Sequence, residues 1–296
     1  MRNLNKRILR GLKAQWSKNL FLFILLFFMI STTSGMLVSS GSIKTLYYEL
    51  MSTGVVEDGK ILFAFDPTDE ILKSIEKTNV KVEKAPYVDA KINKIKDDKD
   101  EKTIRLYTNR KNINLPVINE GILAKNKNEI AINRLFAENN NLKIGNTIKF
   151  KKEFFKDNKE RIFKIVGFIA TPDYNSSFQK STDLIFNAID FGVGLVSDED
   201  KDIFNESKLK YQVSYRFNDR NLSEKETKEK NKEVVNSANI SKTVLEQLPK
   251  KDNNAISYLI DDMGGDRPMV IVMLCLMVTL IGFIFALSIV SKIQEE

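Results

Sequence analysis

Leu20–Ser40, LFLFILLFFMISTTSGMLVSS, and Met269–Val290, MVIVMLCLMVTLIGFIFALSIV, decide how this chain is organised. Neither holds a charged residue over 21 and 22 positions. A helix of 21 residues reaches about 32 Å, enough for the roughly 30 Å hydrocarbon core of a bilayer. Both stretches therefore read as membrane spans, residues 20–40 and 269–290. The first has a second reading. An apolar core at Leu20–Ile30 behind a basic leader also describes a cleavable signal peptide. The leader is long, no Ala-x-Ala-like site follows, and apolar character resumes at Met36-Leu37-Val38, so an uncleaved span is the better reading.

Working outward, residues 1–19 hold Arg2, Lys6, Arg7, Arg10, Lys13 and Lys18 and no acid. The whole chain of 296 residues carries 46 Lys and Arg against 39 Asp and Glu, a formal charge of +7. Six of those charges are the leader, which leaves the rest at +1. The basic balance is thus a topology signal that holds the N-terminus in the cytoplasm, and it argues against nucleic acid as a partner. Residues 41–268 then lie outside, and residues 291–296 return to the cytoplasm. Within the leader, Leu4, Ile8, Leu9, Leu12 and Trp16 recur three and four apart, with bases on the other faces. This predicts an interfacial amphipathic helix with Trp16 at headgroup level. It serves either as a topology signal alone or as a contact for a cytoplasmic partner.

The composition excludes much chemistry. There is no His and one Cys, so imidazole catalysis, an intrachain disulfide and Cys-based zinc sites are absent. No phosphate-binding glycine loop is present. No cofactor is expected. Cys275 falls in the second span and reads as a small packing residue. The sequons at Asn175, Asn205, Asn221 and Asn239 matter only in a eukaryotic secretory pathway.

Between the spans the pattern alternates helix and strand. Ser42–Ser52 continues the first helix as a stalk that ends at Gly54. Lys60–Asp66 reads as a strand with Ile61, Phe63 and Phe65 on one face. Asp69–Thr78 is a helix with Ile71, Leu72 and Ile75 as its stripe. Val80–Ile92 is a strand interrupted near Pro86. Together these form a β-α-β element, for which a mixed sheet is expected. Residues 93–102, NKIKDDKDEK, read as a solvated turn. Strands follow at Thr103–Asn109 and Glu129–Asn133, then a short helix ending at Asn139-Asn140-Asn141. Thr147–Lys151 and Arg161–Ala170 pair as a hairpin after a turn at Gly145-Asn146. Thr182–Phe191 and Lys210–Phe217 supply further strands. Ser223 and Glu226 have the spacing of a capping box ahead of a charged helix, with Val234, Val235 and Ala238 on its buried side and Val244 and Leu245 extending it. Ala255–Ile260 reads as a last strand, and Asp261–Pro268 as a polar linker. The fold class is α+β: two transmembrane helices flanking a mixed α/β extracytoplasmic domain with a β-α-β element and hairpins.

One stretch is more specific: Gly121–Phe150, GILAKNKNEIAINRLFAENNNLKIGNTIKF, followed by Phe163–Pro172, FKIVGFIATP. It resembles the extracytoplasmic domain of FtsX/MacB-like ABC transporter permeases. The resemblance rests on Glu129 and Ile130 in the EIAI strand, Ala137 in the helix, Gly145 in the turn and Gly167 in the VVG-like strand. Asn146 stands where the family often has Asp. The order of leader, span, ectodomain, span and short polar end matches as well. The resemblance implies a non-catalytic permease subunit. A separate cytoplasmic ABC ATPase subunit would move the helices, and the ectodomain would act on a peptide, lipoprotein, antibiotic or envelope protein. A second permease chain, identical or different, would complete the assembly in the bacterial cell membrane. The absence of charge in either span fits a mechanism with no ion path between the helices. Family members carry at least four spans, so two further helices are expected from a continuation of the gene or from another chain. Two other readings stand beside it: a two-span sensor or scaffold that binds an extracellular ligand or envelope partner without ATP, and a membrane-anchored hydrolase working through paired carboxylates.

Overall fold

The computed structural model describes residues 16–92, 101–239 and 242–295. The leader positions Leu4, Ile8, Leu12, Arg2, Lys6, Arg7, Arg10 and Lys13 lie outside the described residues, as do residues 93–100 of the charged run 93–102. The chain divides into two compact units. One holds the apolar lengths of two long helices, and the other is Tyr48–Leu259.

Helix α1, Trp16–Thr53, has 38 residues, and the last helix, α5, Asn254–Glu295, has 42. Each contains a segment long and apolar enough to cross a membrane. Phe27, Phe28, Leu276 and Phe283 keep most of their surface exposed. In these helices Thr32 and Thr279 turn their hydroxyls back to the carbonyls of Phe28 and Cys275, 2.7 and 2.8 Å away, so their polar groups are satisfied within the helix. Cys275 itself is exposed rather than packed. The stalk is helical as expected and ends at Gly54, whose amide donates to the Leu50 carbonyl.

The folded unit holds two sheets. The smaller contains β1 (Gly59–Phe63), β2 (Val80–Lys84), β10 (Tyr211–Phe217) and β11 (Val244–Pro249), in the order β11-β1-β10-β2. All its pairs are antiparallel. It follows that β1 and β2 run parallel with β10 between them, and β10 and β11 run parallel with β1 between them. Helix α2, Asp69–Glu76, joins the first pair and α4, Glu224–Ala238, joins the second. These are two interlocked split β-α-β units, the ferredoxin-like arrangement. The mixed sheet expected around the first β-α-β element is therefore wholly antiparallel, because a strand from 130 residues further on enters between its two strands.

Strand β1 alternates. Ile61 and Phe63 pack with Ile75, Val213, Tyr215, Val234 and Ala238 under the two helices, while Lys60 and Leu62 face the other way. Phe65 lies beyond the end of the strand and is exposed. Ser223 and Glu226 form the capping box of α4 as its spacing predicts. Val244 and Leu245 belong to β11 and not to that helix.

The larger sheet is inserted between β2 and β10. It comprises β3 (Tyr87–Lys91), β4 (Thr103–Thr108), β5 (Val117–Gly121), β6 (Glu129–Asn133), β7 (Thr147–Phe150), β8 (Arg161–Ala170) and β9 (Phe191–Val196). Its order is β3-β4-β9-β6-β8-β5, with β7 also on β8. The sheet is mixed, with β4 parallel to β9 and β6 parallel to β8. The ten residues of β8 pair with β7 at one end and β5 at the other. Both faces are buried over the central strands β4, β6 and β9. Ile130, Ile132, Phe163 and Ile165 pack on one side, with Ala137 of the short helix α3 (Arg134–Asn139). Ala131, Ile169, Val193 and Leu195 pack on the other.

Four expectations fail here. Thr182–Ile189 is an irregular loop with Leu184 and Ile185 exposed, and the strand starts only at Phe191. Ala255–Ile260 is the first part of α5, not a strand, and Asp261–Pro268 continues the same helix instead of forming a linker. Lys102, at the end of the charged run, is buried and paired with Asp190 at 3.4 Å, not solvated.

Candidate functional site

The polar groups of the folded unit concentrate where the end of α1 meets both sheets. Past Gly54 the chain enters a backbone pairing with residues 114 and 115. Asn114 donates its amide to Val55, and Leu115 donates to Gly54 at 2.7 Å. A Cβ on Gly54 would lie 2.8–2.9 Å from Leu50 and Leu115 carbonyl oxygens and from the Pro172 ring. Only glycine allows that approach.

Glu57 follows, fully buried. Its Oε2 accepts from Ser214 Oγ at 2.6 Å and from Asn114 Nδ2 at 2.7 Å, while Oε1 has no hydrogen-bond partner. Burial raises the Glu57 pKa; Lys60 opposes the shift and Asp173 adds to it. Beside it Arg110 donates to Asp173 at 2.6 Å, with both side chains buried, and its guanidinium lies 4.2 Å from the Tyr107 ring centroid. Arg110 Nε and Nη2 and Asp173 Oδ2 remain without partners. A buried water is the usual answer to such orphan atoms.

A cavity of about 540 Å³ opens next to this cluster. Its floor is the helix-free face of the smaller sheet. Lys60 lies opposite Leu248 and Ser214, and Leu62 opposite Glu246 and Gln212. Period-two alternation puts all of these on the face away from α2 and α4. Its wall is the edge of the larger sheet, where Tyr87 and Asp89 of β3 stand beside Arg105 of β4. Arg105 is nearly spent. Nε and Nη2 hold Asp89 at 2.6 and 2.8 Å, Nη2 also reaches the Gln179 carbonyl, and Nη1 donates to Tyr174 Oη at 2.5 Å. The guanidinium stacks 4.2 Å from the Tyr87 ring. Across the mouth, Ser181 donates to Glu246 at 3.1 Å.

Lys60 differs from Arg105. Among the described residues no carboxylate or carbonyl accepts from its ammonium, which sits 5.1 Å from the Tyr174 ring. Burial works against its charge, yet Tyr174, Glu57 and Asp173 outweigh it and raise its pKa above the ordinary lysine value. The cavity therefore carries a fixed cation with open donors.

The residues singled out from the sequence lie elsewhere. Glu129 caps a turn by accepting from Asn126 Nδ2 and from the backbone amides of Asn126 and Lys125, all at 2.9 Å, which holds its pKa low. Ile130 and Ala137 are core. Gly145 adopts φ +92° in its turn. Gly167 pairs with Gly121, and a Cβ there would lie 2.2 Å from the Ile122 carbonyl oxygen. Trp16 is exposed at the start of α1, and Lys18 lies in its first turn. None of these lines the cavity. Lys60, Asp89, Arg105 and Glu57 were not singled out from the sequence. The available signal was a charge inside an alternating strand, as in TIRLYT at Thr103–Thr108. Among the described residues no group of three or more Asp, Glu or Cys is gathered to hold a metal ion.

No protein-family model and no curated protein matches the chain. Among solved structures, the extracellular domain of the noncanonic ABC-type transporter YknZ from Gram-positive bacteria is similar to 63% of this chain over 100% of its own length, with 13% identity and a TM-score of 0.32.

Proposed function

We propose that the chain is a non-catalytic permease subunit of an ABC-type transporter. Its folded unit stands outside the membrane and moves when a separate cytoplasmic ATPase works on the membrane helices. The observation that carries this reading is the continuity of the helices. A 38-residue helix is about 57 Å long, well beyond the hydrocarbon core. Both α1 and α5 run unbroken from an apolar segment into residues of the folded unit. At the end of α1, the pairing of Gly54 and Val55 with residues 114 and 115 anchors the helix to the sheet-bearing unit. A stiff helix anchored in this way transmits displacement without any ion path through the bilayer. The leader, in whose sequence Leu4, Ile8, Leu12 and Trp16 recur at helical spacing, is the contact for the ATPase, and its six bases keep it cytoplasmic. The assembly contains a second permease chain, and the folded unit acts on a peptide, lipoprotein or envelope protein.

The test is affinity purification of the tagged full chain from its native membrane. An ABC ATPase is expected to co-purify from the wild type and to be lost when Leu4, Leu12 and Trp16 are changed to Ser. Recovery of the chain with no ATPase would reject the reading. It would favour a two-span ligand sensor, for which the cavity between the sheets is the specific support.

A further inference from the structure

We infer that the cavity between the two sheets is a binding site for an organic carboxylate, with Lys60 taking the carboxylate and the surrounding rings holding an apolar or aromatic body. This stands whether or not an ATPase drives the chain. At about 540 Å³ the cavity has the size of small-molecule sites, which run from about 300 to 1,000 Å³. Its chemistry is divided. Tyr87, Tyr174 and Phe178 supply flat apolar surface, and Lys60 supplies a cation whose donors have no acceptor among the described residues.

The neighbouring charges explain why the acceptor is to come from outside. Asp89, the acid on the facing wall, is held by both forks of Arg105. Glu246 lies opposite Leu62, diagonal to Lys60, and accepts instead from Ser181. Diagonal positions on one sheet face are about 7–8 Å apart, too far for a direct pair without reaching. Glu57 and Asp173 raise the charge preference of Lys60 from beneath, but Glu57 is bonded to Ser214 and Asn114, and Asp173 to Arg110. Burying a cation without a partner is costly, and an incoming anion removes that cost.

A carboxylate fits better than a phosphate. The cation on the cavity floor is the compact Lys60 ammonium, which matches a monoanion, with Lys180 and Lys210 also on the lining. The planar fork that favours bidentate phosphate binding belongs to Arg105 and is already occupied. On the lining, Ser181 of the irregular loop donates to Glu246 of β11, so the loop and the sheet meet there through one exposed hydrogen bond.

The experiment uses the full chain in a neutral maltoside detergent, with 3-phenylpropionate as probe and 3-phenylpropanamide as its uncharged counterpart, read by calorimetry. The acid is expected to bind at least about tenfold more tightly than the amide, as for a charge-assisted hydrogen bond. Lys60→Met is expected to weaken the acid about ten- to a hundredfold and to leave the amide unchanged, while Lys60→Arg retains acid binding. Equal binding of acid and amide, or no binding of either at millimolar concentration, overturns the inference without recourse to any variant. Tighter binding of phenyl phosphate than of 3-phenylpropionate overturns the assignment to a carboxylate.

Discussion

The two sheets use their second face in opposite ways. The larger sheet buries both over its central strands. Strand β9 is buried at all six positions, and β6 sends Ile130 and Ile132 to one core and Ala131 to the other. The smaller sheet covers one face with α2 and α4 and leaves Lys60, Leu62, Gln212 and Glu246 on a face that only borders a cavity. A face filled by apolar side chains fixes the fold. A face that keeps a charged residue in strand alternation, with space above it, is free to bind.

The sharpest way to break that comparison is to truncate one apolar side chain in each sheet. Phe163 is fully buried between Phe150 and Phe155, with ring centroids 5.5 and 6.3 Å away. Phe163→Ala is expected to cost about 3–5 kcal/mol. Leu62→Ala, on the open face, is expected to cost about 1 kcal/mol. Denaturant unfolding of the full chain, followed by near-ultraviolet circular dichroism, measures both. Similar losses would mean that the open face is as much core as the filled one.

The junction between the sheets comes next. Removing one partner of the buried Arg110–Asp173 pair leaves the other charge uncompensated, a cost of about 3–5 kcal/mol. Arg110→Met is therefore expected to destabilise strongly, and the double variant Arg110→Met with Asp173→Leu to recover most of the loss. Failure of the double variant to recover would show that the charge pair is needed in its own right to hold the loops together.

The sequence revealed the parts of this architecture that are local. The EIAIN strand, the β7–β8 hairpin and the Ser223–Glu226 box each declare themselves within a few residues. The failures share a physical cause. AISYLI at Ala255–Ile260 has an apolar run that suits strand or helix equally, and only its continuity with the 42-residue helix decides. LIFNAI at Leu184–Ile189 has strand composition, yet Asn187 Oδ1 accepts from the amides of Ile189 and Asp190 and turns the chain. Strand β11 is hidden because VLEQLP breaks simple alternation: Glu246 faces the cavity, while Gln247 turns to the other face and donates to Tyr215 and the Asn231 carbonyl. The site itself was not legible. Lys60, Asp89, Arg105 and Glu246 come from four strands spread over nearly two hundred residues; the β1–β11 and β3–β4 pairings bring them together in twos, and the Tyr87–Lys210 bridge ties β3 to the start of β10.

Glu57 tests the same junction through pH. Its pKa in the folded protein lies above the unfolded value, because burial outweighs Lys60 and the two hydrogen bonds. A group raised in this way favours the folded state at low pH, and that contribution is lost as the pH rises through the folded pKa. Glu57→Gln keeps an acceptor toward Ser214 and Asn114 and removes the ionisation. It is expected to raise the melting temperature at pH 8 while leaving it nearly unchanged at pH 4. An equal shift at both pH values would place the effect in packing and not in charge.

The smallest expected effect comes from the covered face of the smaller sheet. Ser223 accepts from the Glu226 amide, and Glu226 accepts from Ser223 in return, so α4 begins on a closed pair of bonds. Ser223→Ala is expected to cost about 1 kcal/mol, the usual loss for an N-cap. Because α4 packs Val234 and Ala238 against β1 and β10, that loss should appear in global unfolding and not only as fraying of the helix end. It should leave binding in the cavity untouched, since α4 lies on the opposite face of the sheet. A Ser223→Ala protein that loses stability and also loses 3-phenylpropionate would show that the two faces of the smaller sheet are not independent, and the contrast between filled and open faces would fail at its simplest point.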